Sequence, residues 1–227
     1  MRKLSSAAAI FFLLLTGHGL AQGVENGDFT DGLNGWTTQG DVQVVDDAAR
    51  LGDNLATHSL LYQGVALPPG TYTLTFDFKN MLSSTASSEP PFVFFDVFFA
   101  TLFFVNDLSQ FDPQTGQFDD VRDLFGMDYS GPFGVTGRIS GSPKGPDWAR
   151  FTVTFSNKFN YAIPYFELYD LNFINNDSQV LIDNVGITTA AGVPATSLWS
   201  IIVFAIGLLG IYLKSRGLAS PGSVRST

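Results

Sequence analysis

Residues 92–105 read FVFFDVFFATLFFV, apolar on both faces with only Asp96 and Thr101 interrupting. A half-exposed strand alternates apolar with polar side chains, so this run belongs to a strand covered from both sides. As a helix it would be about 21 Å long, too short for the roughly 30 Å hydrocarbon core of a bilayer, and burdened by Asp96. The reading is a central strand with cover on both faces, or two strands bending near Ala100 and Thr101. Exposed, so Phe-rich a run would aggregate. Its cover is expected from residues 111–133, whose Phe residues read as a long excursion rather than a separate domain.

Elsewhere Gly and Pro punctuate short runs of alternating polarity, with no sustained period of 3.6. In 71–79 (TYTLTFDFK), Tyr72, Leu74, Phe76 and Phe78 share one face, and Thr71, Thr73, Thr75 and Asp77 share the other. Residues 149–155 repeat the pattern, with Phe151, Val153 and Phe155 alternating with Arg150, Thr152 and Thr154. Further strands are expected at 42–45, 60–67, 163–171 and 180–187. Short antiparallel strands with Gly-rich connections predict an all-β fold, a two-sheet β-sandwich of the jelly-roll kind.

The chain has 227 residues and no cysteine. That excludes a disulfide scaffold, a thiol nucleophile, a zinc knuckle and a lipoprotein anchor, so an exported form must be held by non-covalent contacts. All 21 acids and 7 of the 12 basic residues fall between Gln22 and Ala190, a net charge of −14 that would repel a phosphate backbone, so no nucleic-acid partner is expected.

The two ends read as addresses. Residues 1–21 combine Arg2 and Lys3, the apolar run 7–15 and a small-x-small ending at Ala21, the pattern of a signal peptide cut after Ala21. Residues 195–213 (ATSLWSIIVFAIGLLGIYL) are uncharged, with Trp199 and Tyr212 near their ends, and Lys214 and Arg216 follow. That is a transmembrane helix, taken as 198–213, with the basic tail 214–227 inside and the acidic domain outside. The sandwich domain spans 22–190, joined to the helix through a linker at 191–197.

Val193, Pro194, Ser197 and Trp199, followed by the apolar helix and by Lys214 and Arg216, resemble the C-terminal sorting signals of the PEP-CTERM group. The resemblance implies processing by an exosortase, a membrane protease or transpeptidase, in bacteria that make extracellular polysaccharide. A second resemblance rests on Asn26, Gly27, Asp28 and Phe29, then Gly35 and Trp36, Gly64 and Val65, 69–74 (PGTYTL), and Ile182, Asp183, Asn184 and Val185. These look like the jelly-roll carbohydrate-binding modules of the galactose-binding-like superfamily, over most of residues 24–187. Residues 92–146 match nothing in that pattern.

Asp183 is the most informative acid. In strand 180–187 it shares parity with Leu181, Val185 and Ile187, read as the packed face, where a carboxylate needs a partner. A calcium ion, loop amides or a bulge that turns it outward would each answer. The second resemblance implies a structural calcium, held by Asp183 and Asp28 with oxygens near Asn26 or Asp53. Asp112, Asp119, Asp120 and Asp123 read as a solvated acidic loop.

For sugar recognition, Tyr165, Glu167 and Tyr169 share one face of a strand, two rings and a carboxylate spaced about 7 Å stepwise. Tyr62, Tyr129 and Tyr161 are looser candidates, and Trp36 and Trp148 read as core residues. Catalytic resources are thin. His58, the one histidine left after signal cleavage, reads as a solvent-facing loop residue. The reading is a non-catalytic surface or matrix protein that binds polysaccharide. A self-associating structural protein and a glycoside-active enzyme are the rivals.

Overall fold

The structure, a computed structural model, describes residues 23–52, 56–85, 87–89, 92–171 and 177–190. The expected signal peptide (1–21), Asp53 and the expected sorting residues Val193, Pro194, Ser197, Trp199, Lys214 and Arg216 lie outside them. Among the described residues no helix is long and apolar enough to cross a membrane.

In chain order the strands are β1 (Thr37–Gln39), β2 (Val42–Val45), β3 (Ala48–Gly52), β4 (His58–Tyr62), β5 (Val65–Ala66), β6 (Gly70–Met81), β7 (Ser87–Glu89) and β8 (Phe92–Phe94). They continue with β9 (Val97–Val105), β10 (Asp120–Asp128), β11 (Gly131–Phe133), β12 (Arg138–Ser142), β13 (Gly145–Asn157), β14 (Tyr161–Tyr169) and β15 (Gln179–Thr189). A 3-10 turn at Leu108–Gln110 is the single helical element among the described residues. The front sheet runs β1-β4-β14-β9-β10-β11, with β5 also on β14. The back sheet runs β12-β13-β6-β15-β3-β2, and β7 pairs with β8.

The expected all-β, two-sheet sandwich is what forms, because the alternating runs find one another in register. On the back sheet Phe151, Val153 and Phe155 lie opposite Phe76, Leu74 and Tyr72. These side chains meet Phe98, Leu102, Phe125 and Phe166 of the front sheet in one core. Phe76 sits at its centre, 4.9 Å from Phe166 edge-on and 5.2 Å from Phe151. Phe29 and Trp36 close one end, ring centroids 5.2 Å apart. There the N-G-x-F segment docks on β15. A Cβ on Gly27 would meet the Val185 carbonyl oxygen, and the Val185 N–H donates to the Gly27 carbonyl at 2.9 Å.

Three strand expectations need correction. The run 92–105 breaks at Phe95 and Asp96, not near Ala100 and Thr101. Fully buried Asp96 leaves the ladder to accept the Leu171 N–H (2.7 Å) and the Ser178 hydroxyl (2.6 Å). The remainder, β9, is central as expected, between β14 and β10. Residues 60–67 are two pieces, β4 and β5. The break at Gln63 and Gly64 lies opposite Pro164, which has no N–H for the ladder. Residues 111–133 are not an excursion throughout, since 120–128 pair with β9 and carry β11 at the sheet edge. The part that does cover the run is 106–119, which sets Phe111 and Phe118 at 5.5 and 4.9 Å from Phe103.

Candidate functional site

Phe166 and Leu168 of β14 face the core, which turns Tyr165, Glu167 and Tyr169 to the outer face of the front sheet. The expected row forms around one oxygen. Glu167 Oε1 accepts the hydroxyls of Tyr165 (3.2 Å) and Tyr169 (2.9 Å) and pairs with His58 Nε2 at 2.6 Å. His58 lies opposite Tyr169 in register and stacks on it, centroids 4.6 Å apart. It is therefore not a solvent-facing loop residue, its side chain being 27% exposed and Glu167's 18%. Burial, followed by the hydrogen bond to Glu167, pushes the Tyr169 hydroxyl up to about 12. Burial and the Glu167 charge push Tyr165 higher still, so both remain protonated donors at neutral pH.

Tyr165, however, cannot stack on a sugar. It is 4% exposed, under Phe103 at 5.3 Å and Tyr62 at 5.8 Å. Phe111 of the 106–119 segment caps Tyr62 edge-on at 5.3 Å, completing the cover. Tyr165 is thus part of the floor.

Open space lies beside that floor. A groove of about 450 Å³ runs between edge strand β1 and the covering segment, lined by Thr37, Gln39, Tyr62, Gln110, Phe111, Gln114 and neighbours. Gln114 Nε2 donates to Gln39 Oε1 at 2.9 Å, joining the two walls. The loop is shaped by its own carboxylates. Asp107 caps the 3-10 turn through the Ser109 N–H at 2.9 Å, and Asp112 takes the N–H groups of Gln114 (2.9 Å) and Thr115 (3.3 Å). The hydrogen bond from Ser109 N–H holds Asp107, and that from the Thr115 hydroxyl holds Asp112, below the ordinary carboxylate range. Asp119 holds Asn106, and Asp120 bonds the N–H of Val121. Asp119, Asp120 and Asp123 are exposed and Asp112 is half-buried, but Asp120 and Asp123 belong to β10, paired opposite Phe104 and Thr101, so the expected single acidic loop is divided between a turn and a strand. The amides Gln39, Gln110 and Gln114 were missed, because a glutamine carries no positional signal until a fold brings it to a wall.

Of the expected calcium ligands, Asp28 and Asp183 lie among the described residues and Asp53 does not. Asp28 is exposed and turned to the Thr30 hydroxyl and N–H. Asp183 does not share the face of Val185 and Ile187. A bulge between Asp183 and Gly186 shifts the parity, so Asp183 lies opposite Asp77 on the outer face of the back sheet. There it pairs with Lys144 and accepts the Asn184 N–H at 2.6 Å. An ammonium already on that oxygen leaves it ill-suited to a cation. Among the described residues no group of three or more His, Asp and Glu side chains could hold a metal. Trp36 is a core residue as expected, donating its ring N–H to the Asn26 carbonyl at 3.1 Å. Trp148 is not; it is half-buried on the outer face of the back sheet, with Lys144 Nζ 4.5 Å above its ring.

No protein-family model matches the chain, and no curated protein matches it. Among solved structures it is similar to the enzymatically active domain of the bacteriophage CBA120 tailspike protein 4, at 15% identity and a TM-score of 0.45 over 74% of this chain. The match spans 21% of that chain's length. It is also similar to the Emp47p carbohydrate recognition domain, at 12% identity and a TM-score of 0.48 over 76% of this chain and 96% of that one. A third is TmCBM61 in complex with β-1,4-galactotriose, at 14% identity and a TM-score of 0.43 over 73% and 97%.

Proposed function

We propose that this is an exported bacterial surface protein whose sandwich binds polysaccharide without cleaving it, in the groove between β1 and the 106–119 segment. Delivery would use the N-terminal signal and the PEP-CTERM-like C-terminal signal, read by an exosortase-type enzyme in the membrane. The observation that carries the binding reading is the lining of the groove. Amides from both walls, Thr37 and an aromatic floor at Tyr62 and Phe111 are the groups that hydrogen-bond and stack on sugar rings. The non-catalytic reading rests on the acids. Asp112 is the acid among the lining residues and its Oδ1 is engaged in a turn, whereas glycoside hydrolysis needs two carboxylates about 5–10 Å apart.

The test is a glycan array probed with the full chain in detergent, beside its Gln114→Ala variant. Binding that falls several-fold in the variant supports the groove, and retention of full binding moves the site elsewhere. A second reading, self-association, is favoured by Tyr129, Phe133 and Val135, which are exposed apolar side chains beside edge strand β11. Sedimentation that depends on protein concentration and is abolished by Phe133→Ser would favour it.

A further inference from the structure

The outer face of the back sheet holds charge that the sugar reading does not use. Asp77 and Asp183 lie opposite each other on β6 and β15, with side chains 0% and 5% exposed. Arg150, opposite Asp77 on β13, forks onto it, Nε to Oδ1 at 2.8 Å and Nη2 to Oδ2 at 2.7 Å. Lys144, between β12 and β13, reaches over the Trp148 ring and sets Nζ in direct contact with Asp183 Oδ2. Asn184, in the left-handed region at φ 51°, completes the group. Its N–H donates to Asp183 Oδ1, and its Nδ2 donates to both Asp183 Oδ2 (3.2 Å) and Asp77 Oδ2 (2.9 Å).

We propose that Lys144 and Asp183 condense in the folded protein to an intramolecular amide bond. The neutral Nζ attacks Cγ of the protonated carboxyl. Oδ1 takes up the developing negative charge against the Asn184 N–H, the donor aimed at it. Oδ2 then departs as water, carrying a proton from the amine. Nζ already lies on Oδ2, so that proton passes directly between the two atoms. In sum one ammonium and one carboxylate become one amide and one water, and no oxidant or cofactor is required.

Three features favour the step. Nζ is held against Oδ2, one bond from Cγ, and well-oriented intramolecular reactions reach effective molarities of roughly 10⁵–10⁸ M. Burial raises the Asp183 pKa, more than Lys144 and the Asn184 N–H lower it, which favours the protonated acid that a nucleophile can attack. Condensation also removes two opposite charges from a poorly hydrated place and leaves Asp77 and Arg150 as a balanced pair, so a costly ion pair becomes a neutral amide. The bond would span 39 positions and tie the edge hairpin to β15. A chain without cysteine would thereby gain a covalent staple.

Intact mass of the full chain decides, measured beside Lys144→Arg, which keeps the charge but cannot close the bond. The expected result is a wild type lighter by one water than its processed sequence requires, and a variant at its full mass. Peptide mapping should give one branched peptide joining the Lys144 and Asp183 segments, lost in Asp183→Ala. In Asp183→Asn the same bond should close with loss of ammonia. A full sequence mass for folded wild type, unchanged after days of incubation, would overturn the proposal and leave an ion pair. So would a water loss that persists in Lys144→Arg or maps to another residue. Should Lys144→Arg fail to fold, the branched peptide of the wild type decides alone.

Discussion

On the outer face of the front sheet one carboxylate, Glu167, is held by two tyrosine hydroxyls and a histidine. On the outer face of the back sheet two carboxylates, Asp77 and Asp183, are held by a guanidinium and an ammonium. The front arrangement rests mainly on neutral donors and sits beside an open groove. The back arrangement balances formal charges against one another under a hairpin. The difference teaches where each face keeps its free energy. The back face stakes stability on pairing, because a buried charge without its partner is costly. On the proposed reading the front face would meet its ligand through groups still partly open to water.

The sharpest way to break this comparison is Arg150→Ala. It leaves fully buried Asp77 without its fork and should destabilise the fold by about 3–5 kcal/mol. Urea unfolding would measure it, and a loss below about 1 kcal/mol would show that the back face is no more charge-dependent than an exposed surface. Glu167→Ala should cost less, about 1–3 kcal/mol, since it strands the buried Tyr165 hydroxyl, while Tyr169 and His58 retain access to water. If both variants cost the same, the distinction between the faces falls.

How far these faces were legible depends on parity. Strict alternation in 71–79 and 149–155 placed β6 and β13 on the correct face, and it placed Tyr165, Glu167 and Tyr169 in one row. Alternation fails at a bulge, which inserts a residue and flips the side chains beyond it. The bulge after Asp183 turned a presumed inward acid outward. The irregularity between Asp123 and Phe125 buries consecutive Leu124 and Phe125 and disguised β10 as a loop. Cover from a distance is equally invisible. Tyr165 is buried by Phe103, Tyr62 and the 106–119 segment, and Asp183 meets Lys144 across 39 positions.

A pH series sharpens the back face further. Burial pushes Asp77 up, but hydrogen bonds from Arg150, Ser142 and Asn184 outweigh it and leave its pKa lowered. Its contribution is therefore complete above the ordinary carboxylate value and is lost as pH falls through the lowered one. Asp183, raised chiefly by burial, works the other way: as a free acid the folded state holds its proton longer than the unfolded one. Stability should then decline as pH rises from the ordinary carboxylate value through the raised one. That decline belongs to the unlinked Lys144→Arg protein. In the wild type an amide at Asp183 removes the titration, so thermal unfolding should be flat across the same window. Equal slopes in both proteins would mean that Asp183 still titrates in the wild type.

The smallest effect on stability is expected where the effect on binding is largest. Gln39 and Gln114 bond to each other at the exposed rim, and each amide would exchange that partner for water. Gln39→Ala should therefore change unfolding free energy by no more than about 0.5 kcal/mol. The same substitution removes an amide from the β1 wall, and one lost neutral hydrogen bond of about 0.5–1.5 kcal/mol would lower glycan affinity roughly two- to tenfold. Calorimetric titration of the wild type and this variant, with the glycan found by the array, reads both the affinity and the folded state. If Gln39→Ala costs more than about 1 kcal/mol of stability while leaving affinity intact, β1 is a structural edge and the groove does not do the recognising. If affinity falls at unchanged stability, the division between a face that holds the fold and a face that reads a ligand stands.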